Sequence, residues 1–244
     1  TYKNIEIIIV DDASSDGTFD VIAEFSKKAS KIIAVKNSTN LGFVKNLNKG
    51  ISLAKGKYIA RLDDDDTWSD GNKLEKQVEF FESHPDYVLI GGGVVKVDSS
   101  GKEIVRFSLP INDQDIKVSL LVSNVFAHSA VVFKKDDFNK VGGYDERFGF
   151  FADWDLWLKL GKLGKCYNFK DFFINYLDRE ELGDGGSHDY KIRRKLKLNL
   201  NLRNKYKNYY PRYNKAVLIC FANYFYSFLP FRKKIWPLLF WLRN

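Results

Sequence analysis

Tyr58-Ile59-Ala60-Arg61-Leu62-Asp63-Asp64-Asp65-Asp66 is a β-branched and aromatic stretch that ends abruptly in four carboxylates. Four adjacent anions repel one another, so a fold keeps them at a strand end only where something cationic sits. Hard divalent cations, Mg²⁺ or Mn²⁺, take carboxylate oxygens and leave coordination positions for substrate phosphates. In an α/β sheet, ligands bind beyond the carboxyl ends of the strands. A solvated turn is the bland alternative, since Asp is common in turns. It accounts poorly for an acidic run joined so closely to a buried-looking strand.

The same grammar occurs earlier in the chain. Ile5 to Val10 reads as a buried strand and empties into Asp11-Asp12-Ala13-Ser14-Ser15-Asp16-Gly17-Thr18. Ser15 or Asp16 can cap the helix expected from Thr18 to Lys28, which leaves Asp11 and Asp12 at a strand tip without capping duty. Two acidic strand tips point to a site for a polar, phosphorylated ligand. Strand and helix signals go on alternating: a strand over 31–35, a helix over 43–54 closed by Gly56, and a helix from Lys73 with Leu74, Val78 and Phe81 on one face. A strand over 87–97 contains Gly91-Gly92-Gly93, which reads as close backbone packing or a bulge because no helix follows. Repeated βα units of this length predict an α/β fold with a mostly parallel sheet flanked by helices. In the second half the pattern predicts a helix over 113–122, a strand over 129–133 and an amphipathic helix from Asp153 to Leu160. Asp153 stands where an N-cap would, and capping is its bland role.

With 244 residues and 45% hydrophobic content, the chain can bury one sizeable core with a tail rather than two full domains. It begins with Thr1 and has no Met, which reads as a processed, trimmed or partial chain. Cys166 and Cys220 fit reduced thiols of a cytoplasmic protein better than a disulfide framework. The net charge of +8 is unevenly spread: residues 190–244 hold 14 Lys and Arg and no Asp or Glu, which leaves residues 1–189 at −6. The tail interleaves those cations with aromatics from Tyr206 to Trp241. Such a surface suits anionic lipid better than nucleic acid, because its apolar runs would be idle in a nucleic-acid arm; the alternative is that those aromatics pack back on the body of the chain as an ordinary helical cap. Its longest apolar run, 216–230, is shorter than the roughly 20 residues that span a bilayer.

Taken in order, Ile9 to Thr18, Asn40-Leu41-Gly42, Asn48-Lys49-Gly50, Leu62 to Asp66 and Gly142 to Leu158 resemble the inverting family-two glycosyltransferases with the GT-A fold. The resemblance covers roughly residues 1–174. It implies a GT-A-like catalytic domain over 1–178, followed by a flexible loop and a helical, basic and aromatic tail over 179–244. It also implies transfer of a sugar from a nucleotide-sugar donor to a glycan or lipid-linked acceptor hydroxyl, with inversion, in cell-surface polysaccharide or glycolipid synthesis. By position, Asp63 and Asp65 match the D-x-D motif that holds Mn²⁺ or Mg²⁺ against the donor diphosphate, with Asp64 between them. Asp11 matches the acidic residue at the nucleotide base, with Asp12 beside it. Asp153 matches the general base that takes the acceptor proton. His128 falls on the acceptor side, although a strand-end His satisfied by backbone is an equal reading. Arg179 and His188 match a loop that closes over the donor, as phosphate or metal contacts. The expected location is the cytoplasmic face of a membrane.

Two departures accompany the resemblance. Ala152 occupies the first position of the family's Glu-Asp pair. The family's opening strand and helix, with a Pro-x-Tyr-Asn-like segment, precede the point where this chain starts, so it reads as part of a longer enzyme. A haloacid-dehalogenase-type phosphatase is the rival reading, because Asp63-x-Asp65-x-Thr67 fits its D-x-D-x-T signature. That family places the motif after the first strand, whereas at least two strands precede it here. A non-enzymatic membrane or nucleic-acid binding module accounts for the tail alone.

Overall fold

The computed structural model describes residues 1–178, 188–226 and 228, with the side chains of 188–192 outside the description. The first βα unit forms as its pattern predicts. Strand β1 (Ile7–Asp11), helix α1 (Thr18–Lys28) and strand β2 (Ile32–Lys36) give a parallel pair in which Asp11 lies opposite Lys36. Helix α2 (Phe43–Leu53) follows and buries Val44 and Ile51. Asp16 accepts hydrogen bonds from the Thr18 amide and hydroxyl at the mouth of α1.

The larger sheet has the order β3-β7-β5-β8-β4, with β6 on the other side of part of β5. Its strands are β3 (Tyr58–Ala60), β4 (Thr67–Trp68), β5 (Tyr87–Val97), β6 (Glu103–Phe107), β7 (Val132–Lys134) and β8 (Lys165–Leu177). Helix α3 (Lys73–Ser83) links β4 to β5, α4 (Asp113–Leu120) follows β6, and α5 (Lys135–Lys140) and α6 (Ala152–Leu160) lie between β7 and β8.

The expected mostly parallel pairing is corrected here. Of the pairs in this sheet only β5 with β8 is parallel; β3–β7, β5–β7, β4–β8 and β5–β6 are antiparallel. The physical reason is insertion: β7 arrives from far along the chain and enters between β3 and β5, and β6 returns on β5 as a hairpin. Local periodicity carries no signal for either choice. The glycine reading holds. A Cβ at Gly91 would collide with Asn168 and Phe126, and at Gly92 and Gly93 with Phe173 and Phe172, where the β5–β8 register shifts.

The main core runs through Leu89, Ile116, Leu120, Phe133, Leu156, Trp157 and Leu160, and it extends into the tail. Helices α7 (His188–Tyr206) and α8 (Tyr213–Tyr226) contribute Leu202, Tyr206, Ala216 and Ile219 to that same core, and the connection between them contributes Tyr210. The boundary expected after residue 178 therefore does not separate two cores. The aromatic positions Tyr206 and Tyr210 are internal packing, and the Tyr210 hydroxyl donates to the Leu158 carbonyl at 2.8 Å. Both Cys166 and Cys220 are buried free thiols.

Candidate active site

The acidic run turns immediately after β3, and a short 3₁₀ segment, His128–Ala130, holds it there. The Ser129 hydroxyl is fully buried among carboxylates. It lies 3.2 Å from Asp63 Oδ2 and 2.5 Å from Asp66 Oδ2, and it accepts the Asp63 amide at 2.9 Å. Trp68 Nε1 donates to the Ser129 carbonyl at 2.9 Å, which fastens β4 to the same segment. Asp64 is exposed and Asp65 half-buried. Asp66 keeps one buried carboxylate oxygen without a hydrogen-bond partner.

Charge is distributed unevenly over this turn. Burial works to raise the Asp63 carboxyl, but His128, Arg61 and Ser129 together hold it below the ordinary Asp value. Asp66 goes the other way. Burial pushes its carboxyl up, Ser129 opposes the push, and the Asp65 and Asp63 charges add to it. Repulsion among the four anions is thus relieved by Arg61, which forms an ion pair with Asp63, and by the Ser129 hydroxyl.

His128 joins this turn to a second group. Its Nδ1 lies 3.4 Å from Asp63 Oδ2, and its Nε2 is 2.8 Å from the Tyr144 hydroxyl. It is therefore not the backbone-satisfied histidine of the bland reading. Tyr144 is buried, its phenol is pushed up chiefly by burial, and its backbone is pinned on both sides by the Asn48 side chain. Gly143, at φ +66°, leaves no room for a Cβ beside Asn48 and Phe138.

Asp153 sits in the first turn of α6. The cap of that helix is Phe151, and no side chain caps it, so the capping role is not what Asp153 performs. Its Oδ1 accepts the Trp154 amide at 2.6 Å, and its Oδ2 accepts Asn124 Nδ2 at 2.7 Å. Burial raises its carboxyl above the usual Asp value; the nearby His128, the Trp154 amide and Asn124 oppose the shift, and the Asp63 charge adds to it. A half-buried carboxylate with raised proton affinity, within electrostatic reach of Asp63, suits a proton acceptor.

Asp11 and Asp12 occupy the tip of the smaller sheet. Asp12 braces the loop before α2, whose N-cap is Gly42: it accepts the Leu41 and Gly42 amides at 2.8 Å each, and Asn37 Nδ2 at 2.7 Å. Those bonds hold its carboxyl down against burial. Asp11 is buried, accepts the Ser14 amide, and keeps Oδ1 without a hydrogen-bond partner. The two tips communicate through α2, whose start Asp12 holds and whose Asn48 grips Tyr144. Arg179 lies outside the described residues; His188 opens α7, and its side chain also lies outside them. Ser129, Asn124 and Tyr144 were missed from sequence, because only tertiary contact distinguishes them from ordinary loop residues.

Among the described residues no three His, Cys, Asp or Glu side chains form a ready-made metal cluster. Two carboxylates suffice where a diphosphate supplies further oxygens, since Mg²⁺ and its like keep waters and use one or two protein carboxylates. The hard oxygen donors of Asp63 and Asp65 fit such an ion.

Comparison with known proteins gives the family and the fold. The family model described as "Glycosyl transferase family 2" matches residues 1–142. The chain is 33% identical over 159 residues to the amylovoran biosynthesis glycosyltransferase AmsE of Erwinia amylovora, covering 65% of this chain and 59% of the relative. It is 47% identical over 83 residues to the UDP-Glc:alpha-D-GlcNAc-diphosphoundecaprenol beta-1,3-glucosyltransferase WfaP of Escherichia coli, covering 34% of this chain and 32% of the relative. The fold resembles the mannosyltransferase PcManGT from Pyrobaculum calidifontis in complex with GDP-Man and Mn2+, with a TM-score of 0.59 at 17% identity, covering 97% of this chain and 64% of that one. The chain thus spans under two thirds of the length of each of these proteins.

Proposed function

Since the chain belongs to glycosyl transferase family 2 and has the α/β fold of the GT-A type, we propose that it transfers a sugar from a nucleotide-sugar donor to an acceptor hydroxyl, with inversion. The observation that supports this reading is that His128, in contact with Asp63, also lies within electrostatic reach of the half-buried carboxylate of Asp153. Asp63 and Asp65 would hold a divalent ion, Mn²⁺ or Mg²⁺, which when bound would offset the charge that builds on the departing diphosphate. Asp11, with its buried carboxylate oxygen, faces the nucleotide, and Asp12 shapes the wall beside it by holding Leu41 and Gly42. Asp64, exposed at the turn, borders the donor. Asp153 takes the acceptor proton as the new bond forms. One base and no enzymic nucleophile give a single displacement, hence inversion. The haloacid-dehalogenase reading is overturned by the family match and by the position of the acidic motif after the third strand.

Donor-dependent release of nucleoside diphosphate tests this reading, with UDP-, GDP- and dTDP-sugars first screened by thermal shift. One donor should stabilise the full-length protein in the presence of Mn²⁺ and be turned over. If no donor in the panel binds or reacts, the reading fails.

A glycan or lipid-linked acceptor is proposed for the same site. WfaP, by its name, acts on a diphosphoundecaprenol-linked sugar. Membrane-surface docking would bring such an acceptor within reach. No helix among the described residues is long and apolar enough to cross a membrane. Arg193, Arg194, Lys195 and Lys197 are exposed along α7, and Leu218, Phe221 and Phe225 are exposed on α8. Each cation that reaches an anionic leaflet gains on the order of 1 kcal/mol. Deleting residues 215–244 would remove the core positions Ala216 and Ile219, so the informative deletion is 229–244. Flotation with anionic liposomes should be salt-sensitive and weakened by that deletion. Equal recovery in the soluble fraction for both chains, at low salt, would leave the tail as internal packing only.

A further inference from the structure

The end of α4 and the segment after it are gripped at alternate positions, 120, 122 and 124, by the start of α6 at 120 and 124 and by α7 at 122. Trp154 Nε1 donates to the Leu120 carbonyl at 2.6 Å. Arg203 Nη2, from α7, donates to the Val122 carbonyl at 2.9 Å. Asn124 Nδ2 donates to Asp153 Oδ2 at 2.7 Å. The middle contact is a guanidinium 1% exposed, and it also lies 4.7 Å from the ring of Trp154, the residue whose amide Asp153 accepts. Arg203 therefore touches both halves of the cradle around Asp153 from a third element, α7.

We infer that Arg203 is a positioning residue for Asp153: from the C-terminal helix it sets the carboxylate against Asn124 without touching substrate itself. The inference rests on the role of Asp153 proposed above. Burying an arginine is costly unless its donors are used, and here Nη2 donates to the Val122 carbonyl at 2.9 Å and Nη1 to the Asn199 carbonyl at 3.4 Å. Carbonyl acceptance with stacking on an indole fixes direction, because the planar fork tolerates little rotation. A lysine reaches as a point charge and cannot hold both partners in one geometry. Neighbouring contacts fix α7 itself: Lys205 Nζ and the Tyr206 hydroxyl each lie 2.7 Å from Asp155 Oδ1, on the buried face of α6. The charged and titratable groups facing Asp153 across the site, His128, Asp63 and Tyr144, come from other elements and do not depend on α7.

The test compares Arg203→Met and Arg203→Lys with Ile219→Ala, a core change in α8 remote from the cradle, all in the full-length enzyme. The first readout is the Asn124 side-chain amide in ¹⁵N-resolved NMR spectra, assigned by its loss in Asn124→Ala. In wild type it should be shifted and slow to exchange, as a donor to a carboxylate is. In Arg203→Met it should move to the position of a solvated amide, in Arg203→Lys part of the way, and in Ile219→Ala not at all. The second readout is turnover: kcat should fall 10- to 100-fold in Arg203→Met with the donor KM within twofold, the size expected for a misplaced catalytic group. Combining Arg203→Met with Asn124→Ala should cost less than the product of the two separate losses. An unmoved Asn124 signal in folded Arg203→Met or Arg203→Lys overturns the inference. So does a loss of kcat matched by Ile219→Ala at equal loss of melting temperature. Full turnover in Asp153→Asn would instead overturn the base assignment while leaving the amide result standing, so the two failures are distinguishable.

Discussion

Replacing Asp153 with Asn is expected to lower kcat by about two to four orders of magnitude, the usual contribution of a positioned general base. The substitution keeps the shape of the side chain and its acceptor for the Trp154 amide, so the fold should survive. It removes the group proposed to take the acceptor proton. The pH dependence follows from the same burial. Burial raises the Asp153 carboxyl, and a base works only when ionised. Turnover is therefore lost as pH falls through that raised value, on a limb above the roughly 3.9 of an ordinary Asp. The measurement is steady-state kinetics across pH, with near-ultraviolet circular dichroism as the control for folding. Wild-type turnover in the Asn variant would show that the base lies elsewhere.

Asp65→Ala is expected to lower metal-dependent turnover about 100-fold or more, on the scale of losing one group that stabilises developing negative charge. Its melting temperature should stay close to wild type, because removing one anion relieves repulsion from Asp66. Asp63→Ala should be equally inactive but less stable. It strips Arg61 of its ion-pair partner and leaves the buried Ser129 hydroxyl with one acceptor fewer, a cost of about 1–3 kcal/mol. The contrast between the two variants is the informative part. Binding of Mn²⁺ with nucleoside diphosphate, followed by electron paramagnetic resonance, should weaken in both. Undiminished turnover in excess chelator would remove the metal from the mechanism while leaving the transfer reaction in place.

Much of this protein could be read without coordinates. The Tyr58 to Asp66 run, the Asp11-Asp12 tip and the helix beginning near Asp153 each carry a local signature: a strand composition, a change of period, a cluster of like charge. Local signatures survive in sequence because the forces behind them act over a few residues. They placed the helices α1, α2 and α3 and singled out the carboxylates of the proposed site. The ordered set of motifs identified the family.

What escaped the sequence depends on residues far apart along the chain. Strand direction in the larger sheet was misread because β7 enters between β3 and β5 from 70 residues away, and no period records that choice. Asp12 looked spare until Leu41 and Gly42 came within reach of it. Ser129 and Asn124 were unremarkable loop residues until folding set each against a carboxylate. The basic, aromatic tail read as one surface, yet Arg203, Tyr206 and Tyr210 turn inward and pack on α6, while Arg193, Arg194 and Lys197 stay exposed. Composition counts charges and rings, but only packing decides which of them are desolvated, and desolvation is what separates a solvated cation from one that holds a catalytic cradle together.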